Sequence, residues 1–190
     1  MRSTGLLSAF CGLTAAAALT GCGDPLSLLP ARFPNREDTV SIWAATNTSI
    51  DKPSGYVVSA RSRVRLDQVS TFDFMYDVDP AGRNVLLPLG AVVNTGSAGG
   101  LPGFQKTQTA FESITAAEQL GYVTKDTLVV APGDIFYVRS TLDGSCVLGI
   151  PYYAKLQVLV VDDSARAMRF RILTNINCGY RGLQPGLPTK

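Results

Sequence analysis

The stretch 152-YYAKLQVLVVDDSARAMRFRILT-174 decides the fold class. Leu156, Val158 and Val160 alternate with Lys155, Gln157 and Leu159, and further on Met168, Phe170 and Ile172 alternate with Arg169, Arg171 and Leu173. A period of two sends successive side chains to opposite faces of a β-strand. The five residues between the runs, Asp162, Asp163, Ser164, Ala165 and Arg166, have the composition of a hairpin loop. One face of the hairpin is therefore expected on a core, carrying Leu156, Val158 and Val160, while Arg169 and Arg171 point to solvent.

Working outward, similar runs rich in β-branched and aromatic residues recur at Thr39 to Ala45, Gly55 to Val64, Thr71 to Val78, Asn84 to Val93, Thr127 to Val130 and Ile135 to Ser140. Asp79, Pro80, Ala81 and Gly82 read as a tight turn, because Pro fixes φ at the second position and Gly suits the fourth. The only helical signal is a capping box at Thr115 and Glu118, closed by Gly121. Asn94 to Gly103 reads as a flexible glycine-rich loop. Eight short strands and one short helix predict an all-β domain, an antiparallel β-sandwich of the immunoglobulin-like or a related kind, or else a barrel. In immunoglobulin domains proper two cysteines bracket a tryptophan; here Trp43 precedes both Cys146 and Cys178.

Before this domain the chain has a different character. Arg2 supplies a positive start, and no charged residue occurs from Gly5 to Gly21, the layout of an export signal. The run closes on Leu19, Thr20, Gly21 and Cys22, which resembles the lipobox of bacterial lipoprotein precursors. That resemblance covers only the first two dozen residues. It implies cleavage before Cys22 and a thioether from its sulfur to diacylglycerol, a palmitate-type lipid anchor in the membrane of the cell envelope. The segment is too short and too diluted by Ser8, Gly12, Thr14 and Thr20 to read as a spanning helix. Gly23 follows Cys22 and Asp24 lies one place further on, so by the same resemblance the outer membrane is the expected destination. The chain divides accordingly into a signal peptide (1–21), a lipidated tether (22–37) with Pro25, Pro30 and Pro34, and a single domain (38–190).

Charge and cysteine usage fit an exported chain. There are 17 Lys and Arg against 15 Asp and Glu over the 190 residues, and loss of Arg2 with the signal leaves 16 against 15. A balance so close to zero offers no basic stripe, and nucleic acid is not expected as a partner. With Cys11 removed and Cys22 lipidated, Cys146 and Cys178 remain as one pair, which an oxidising envelope joins. On the chain-entropy estimate such a bridge contributes roughly 3 to 4 kcal/mol. A metal site on these two cysteines lacks its usual partners, since the chain has no histidine and no CxxC spacing.

The lack of histidine also removes Ser-His-Asp and Cys-His catalysis and the HExxH metal helix. Carboxylate chemistry remains open to Asp73, Asp77 and Asp79, of which Asp73 and Asp77 share a face of an unbroken strand. The simpler expectation puts Phe72, Phe74 and Tyr76 in the core and the aspartates in water. A calcium loop beginning at Asp77 and Asp79 fails at Ala81 and Pro88, which offer no side-chain ligand. The glycines between Gly96 and Gly103 lack the order of a phosphate-binding loop.

Tyr180 and Arg181 could stack on a ligand, although their place beside Cys178 favours packing. Tyr56, Tyr152 and Tyr153 could form a carbohydrate platform, or belong to the core. No catalytic residue, metal or cofactor is implied. The expected function is that of a membrane-anchored envelope lipoprotein whose non-catalytic domain binds a protein, glycan or cell-wall component. A carboxylate-dependent enzyme acting on envelope polysaccharide is the alternative.

Overall fold

The computed structural model describes residues 29–93, 100–142, 146 and 149–188. Cys22, the signal segment and positions 94–99 of the glycine-rich loop lie outside the described residues. Ten strands follow in order: β1 (Arg36–Trp43), β2 (Gly55–Val57), β3 (Ser62–Val64), β4 (Phe74–Val78), β5 (Asn84–Pro88), β6 (Gly103–Thr107), β7 (Leu128–Val129), β8 (Ile135–Arg139), β9 (Tyr153–Asp162) and β10 (Ala167–Asn175). They form two five-stranded antiparallel sheets, β1-β10-β9-β8-β6 and β3-β2-β4-β5-β7. The fold is thus the expected all-β sandwich. Its first strand pairs with its last.

Alternation accounts for the filling of the sandwich. Ile42 of β1, Tyr56 of β2, Phe74 and Tyr76 of β4, Leu86 of β5, Phe136 of β8, Leu156 and Val158 of β9, and Met168, Phe170 and Ile172 of β10 are all fully buried in one cluster. Aromatic rings bind its centre, with Phe74 lying 5.1 Å from Phe104 and 5.8 Å from Phe170 between centroids, both edge-on.

The hairpin that decided the fold departs from strict alternation at one point. Arg169 pairs with Val160 but Phe170 with Val158, leaving Leu159 as an extra residue. This bulge switches the faces beyond it. Val160, expected in the core, is 40% exposed, and Val161 packs on the core instead.

Other elements differ from expectation for local reasons. The Gly55 to Val64 run is broken by a turn in which Arg61 takes a positive φ of 51°, giving β2 and β3. The Asn84 to Val93 run ends at Pro88 and continues as a one-turn helix, α1 (Leu89–Val92). The capping box at Thr115 and Glu118 builds no helix. A single 3-10 turn, Phe111–Ser113, precedes it, and the backbone then runs extended: Ala117 N–H donates to Arg181 O at 2.7 Å and Leu183 N–H to Thr115 O at 2.7 Å. Phe111, Ile114 and Ala117 bury themselves on the outer face of the first sheet with Tyr137, Tyr153, Leu173 and Leu183. That tertiary burial outweighs a weak helical preference.

The tyrosines embedded in the core set an alkaline limit to stability. Desolvation raises the phenol of Tyr56 well above its ordinary value and pushes that of Tyr76 up to about 12. Each stays protonated in the fold at a pH where the unfolded chain ionises, so their stabilising contribution is complete below pH of about 10 and is lost as pH rises beyond it. The urea midpoint is expected to be lower at pH of about 11 than at about 9. An unchanged midpoint would contradict this assignment.

Candidate functional site

The two ends of the domain meet at one end of the sandwich, and asparagines hold them there. Cys146 and Cys178 are disulfide-bonded, tying the segment between β8 and β9 to the chain just after β10. Next to the bridge, Asn177 Oδ1 accepts from the backbone N–H groups of Arg32 at 2.8 Å and Phe33 at 3.0 Å, while its Nδ2 donates to Phe33 O at 2.7 Å. The side-chain amide thus imitates a neighbouring strand. Asn35 continues the clasp, donating from Nδ2 to Gly182 O and Gln184 O, both at 2.8 Å, and from its backbone N–H to Gly186 O at 2.7 Å. Asn175 Nδ2 secures the same tail at Tyr180 O and Gly182 O.

The segment expected as tether, 22–37, is therefore bonded into the domain from Arg32 onward, and β1 begins at Arg36 rather than near Thr39. Replacing Asn177 by Asp keeps the shape but removes the Nδ2 donor and brings a carboxylate against Phe33 O. Loss of about 1 to 3 kcal/mol is expected, read as a lower melting temperature. A melting temperature equal to that of the parent would show the clasp to be dispensable.

Between this N-terminal strap and the bridge lies an open groove of about 590 Å³, lined by Leu29, Pro30, Phe33, Tyr152, Ile176 and Cys178 among others. Arg32 also lines it. Leu29 and Phe33 stand 72% and 52% exposed. Apolar walls with few polar groups suit a hydrophobic occupant.

Of the sequence-derived candidates Tyr152 and Cys178 line this groove, while the aspartates lie elsewhere and are engaged. Asp73 is buried, contrary to its expected exposure; its carboxylate accepts from Val58 N–H at 2.6 Å and from Thr141 N–H. Asp77 accepts from the backbone N–H and hydroxyl of Thr46. Asp79 closes its own turn, accepting from the N–H groups of Ala81 and Arg83 and pairing with the Arg83 guanidinium. Asp77 and Asp79 do line a shallow groove of about 460 Å³. The hydrogen bonds and charge of Arg83 hold the Asp79 carboxyl below the usual range, the reverse of what a general acid needs.

Among the described residues, no group of three or more His, Cys, Asp or Glu side chains is placed to hold a metal ion. Tyr56, Tyr152, Tyr153 and Tyr180 are buried, so they form no open sugar platform, and Arg181 donates to Ala117 O. These tyrosines and Arg181 take the packing roles that their neighbourhoods suggested.

Besides the clasp asparagines, one charged group has a role that the alternation did not suggest. Lys155 of β9 is only 2% exposed, its ammonium donating to Phe111 O at 2.8 Å and Ile114 O at 2.9 Å and lying 4.6 Å from the Phe111 ring centre. Burial lowers its pKa. Arg171, expected in open solvent, covers the same ring at 4.0 Å and bonds Gln157 and Glu112. Both cations fasten the Phe111 turn to the sheet. Comparison with known proteins finds no match to a family model, a curated protein or a solved structure.

Proposed function

We propose that this chain is an envelope lipoprotein, held in a membrane by lipid on Cys22 and presenting a non-catalytic β-sandwich that binds a protein, glycan or cell-wall component. The observation that carries the reading is the Leu19, Thr20, Gly21, Cys22 motif at the end of an uncharged run. The disulfide supports it, because such bonds persist in exported proteins and are rare in a reducing cytosol. Gly23 after the cysteine favours the outer membrane.

Engagement of the Asp73, Asp77 and Asp79 carboxylates in structural hydrogen bonds supports binding over catalysis. The test is mass spectrometry of the mature amino-terminal peptide from membranes. A peptide starting at Cys22 with diacylglycerol on its sulfur is expected; an unmodified or internally retained Cys22 would remove the lipid-anchor reading. For the binding role, cross-linking of the lipidated protein in its own membrane is expected to give a discrete adduct that disappears on unfolding. Absence of any adduct above background would leave a purely structural role.

A further inference from the structure

The groove beside the disulfide points to a second membrane contact. We infer that this end of the sandwich docks on the bilayer surface itself, with Leu29, Phe33 and Leu187 entering the interfacial layer and Arg32 facing lipid phosphates. The inference rests on the lipid-anchor reading and deepens it, turning a loosely tethered domain into an oriented one.

Reach is the first argument. Six residues separate Cys22 from Leu29. At no more than about 3.6 Å per residue, that connection spans roughly 25 Å when fully extended. The strand β9, ten residues from Tyr153 near the groove to Asp162, is about 33 Å long at ~3.3 Å per residue. The groove end thus stays within roughly 25 Å of the bilayer, and the sandwich cannot stand fully inverted on it. A short tether also keeps the surface at a high effective concentration, so even a weak contact becomes well populated.

The chemistry of that end is the second argument. Leu29 and Phe33 are exposed at the groove, and Leu187, 62% exposed, follows Gly186, which is bridged to Asn35 two residues beyond Phe33. Two exposed apolar side chains sharing a groove with a cation, and a third beside the paired Gly186, suit an interfacial anchor: the apolar parts enter the headgroup boundary and the guanidinium stays at phosphate level. The asparagine clasp fixes the strap to the domain, so the contact orients the whole sandwich and not merely the tail.

The single tryptophan makes the orientation measurable. Trp43 ends β1 opposite Ala167, at the hairpin end of the sandwich, whereas Arg36 begins the strand opposite Thr174 at the groove end. The full lipidated chain is reconstituted in vesicles of phosphatidylethanolamine and phosphatidylglycerol with bromine on the upper acyl chain. The parent, reporting from Trp43, is expected to keep its fluorescence. A Phe33→Trp, Trp43→Phe variant is expected to lose at least half.

Should that variant melt abnormally, Leu187→Trp with Trp43→Phe reads the same end from the other chain terminus, with the same expected loss. If Cys22 carries its lipid by mass yet neither groove-end tryptophan is quenched, docking is overturned while the anchor stands, and the groove belongs to another occupant such as a second copy or a protein partner. Equal quenching at Trp43 and at the groove end overturns the end-on orientation. An unmodified Cys22 overturns both readings.

Discussion

With Ser in place of Cys22, the mature-sized protein is expected to vanish from washed membranes, together with incorporation of labelled fatty acid, and the uncut precursor to accumulate. A hydroxyl is a poor substitute for the thiolate that forms the thioether. Without that bond no diacylglycerol is attached, and processing that follows lipid attachment stalls. The size of the effect follows from methylene counting. Each buried methylene contributes about 0.8 kcal/mol, and one acyl chain alone gives only marginal, reversible binding whereas two hold a soluble domain. The exposed Leu29, Phe33 and Leu187 cannot replace such chains. A mature-sized Ser variant that stayed on the membrane would show that Cys22 carries no lipid.

The second large effect concerns the bridge. Cys146 and Cys178 are 32 residues apart in sequence, and closing a loop of that length restricts the unfolded chain by about 4 kcal/mol on the chain-entropy model. In a domain of this size each kcal/mol moves the melting temperature by about 2 to 4 °C, so Cys146→Ser is expected to lower it by roughly 8 to 16 °C under oxidising conditions. The parent treated with reductant should approach the variant. The loss is not confined to the loop, because Cys178 immediately follows Asn177, whose amide holds the N-terminal strap. Equal melting temperatures for parent and variant would contradict the pairing.

How much of this was legible depended on how many residues acted together. The β9–β10 hairpin was readable because two long alternating runs flank a loop of turn-forming residues, and a shared period is hard to produce by accident. Its bulge was not, since one added residue at Leu159 leaves the composition of the run unchanged. β6 escaped notice behind the glycine-rich loop because Phe104 is the one large apolar residue of its GFQKT sequence, and its pairing with β8 is a tertiary fact. The capping box at Thr115 and Glu118 was a local signal overruled by the pairing of residues 115–117 with the C-terminal segment. Lys155 sits at an outward position of β9 and became buried only because the Phe111 turn covers it.

The candidate site shows the same division. The cysteine pair was found by counting. The groove was not, because Leu29, Arg32 and Phe33 come from before the first strand and Ile176 and Cys178 from after the last, brought together by tertiary contacts such as that of Asn177. The one signal available was the Asn175, Ile176, Asn177 spelling at the end of β10, two side-chain amides where the backbone leaves its ladder.

Pairing of the first strand with the last has a mechanical meaning. A pull transmitted through the proposed lipid at Cys22 would meet the asparagine clasp at Arg32 to Asn35 first and then the beginning of β1. All eight residues of β1 are registered antiparallel against β10, so a load directed along the strand falls on their hydrogen bonds together, in shear. Were Cys22 lipidated as proposed, this register would resist towing along β1 better than peeling from its end.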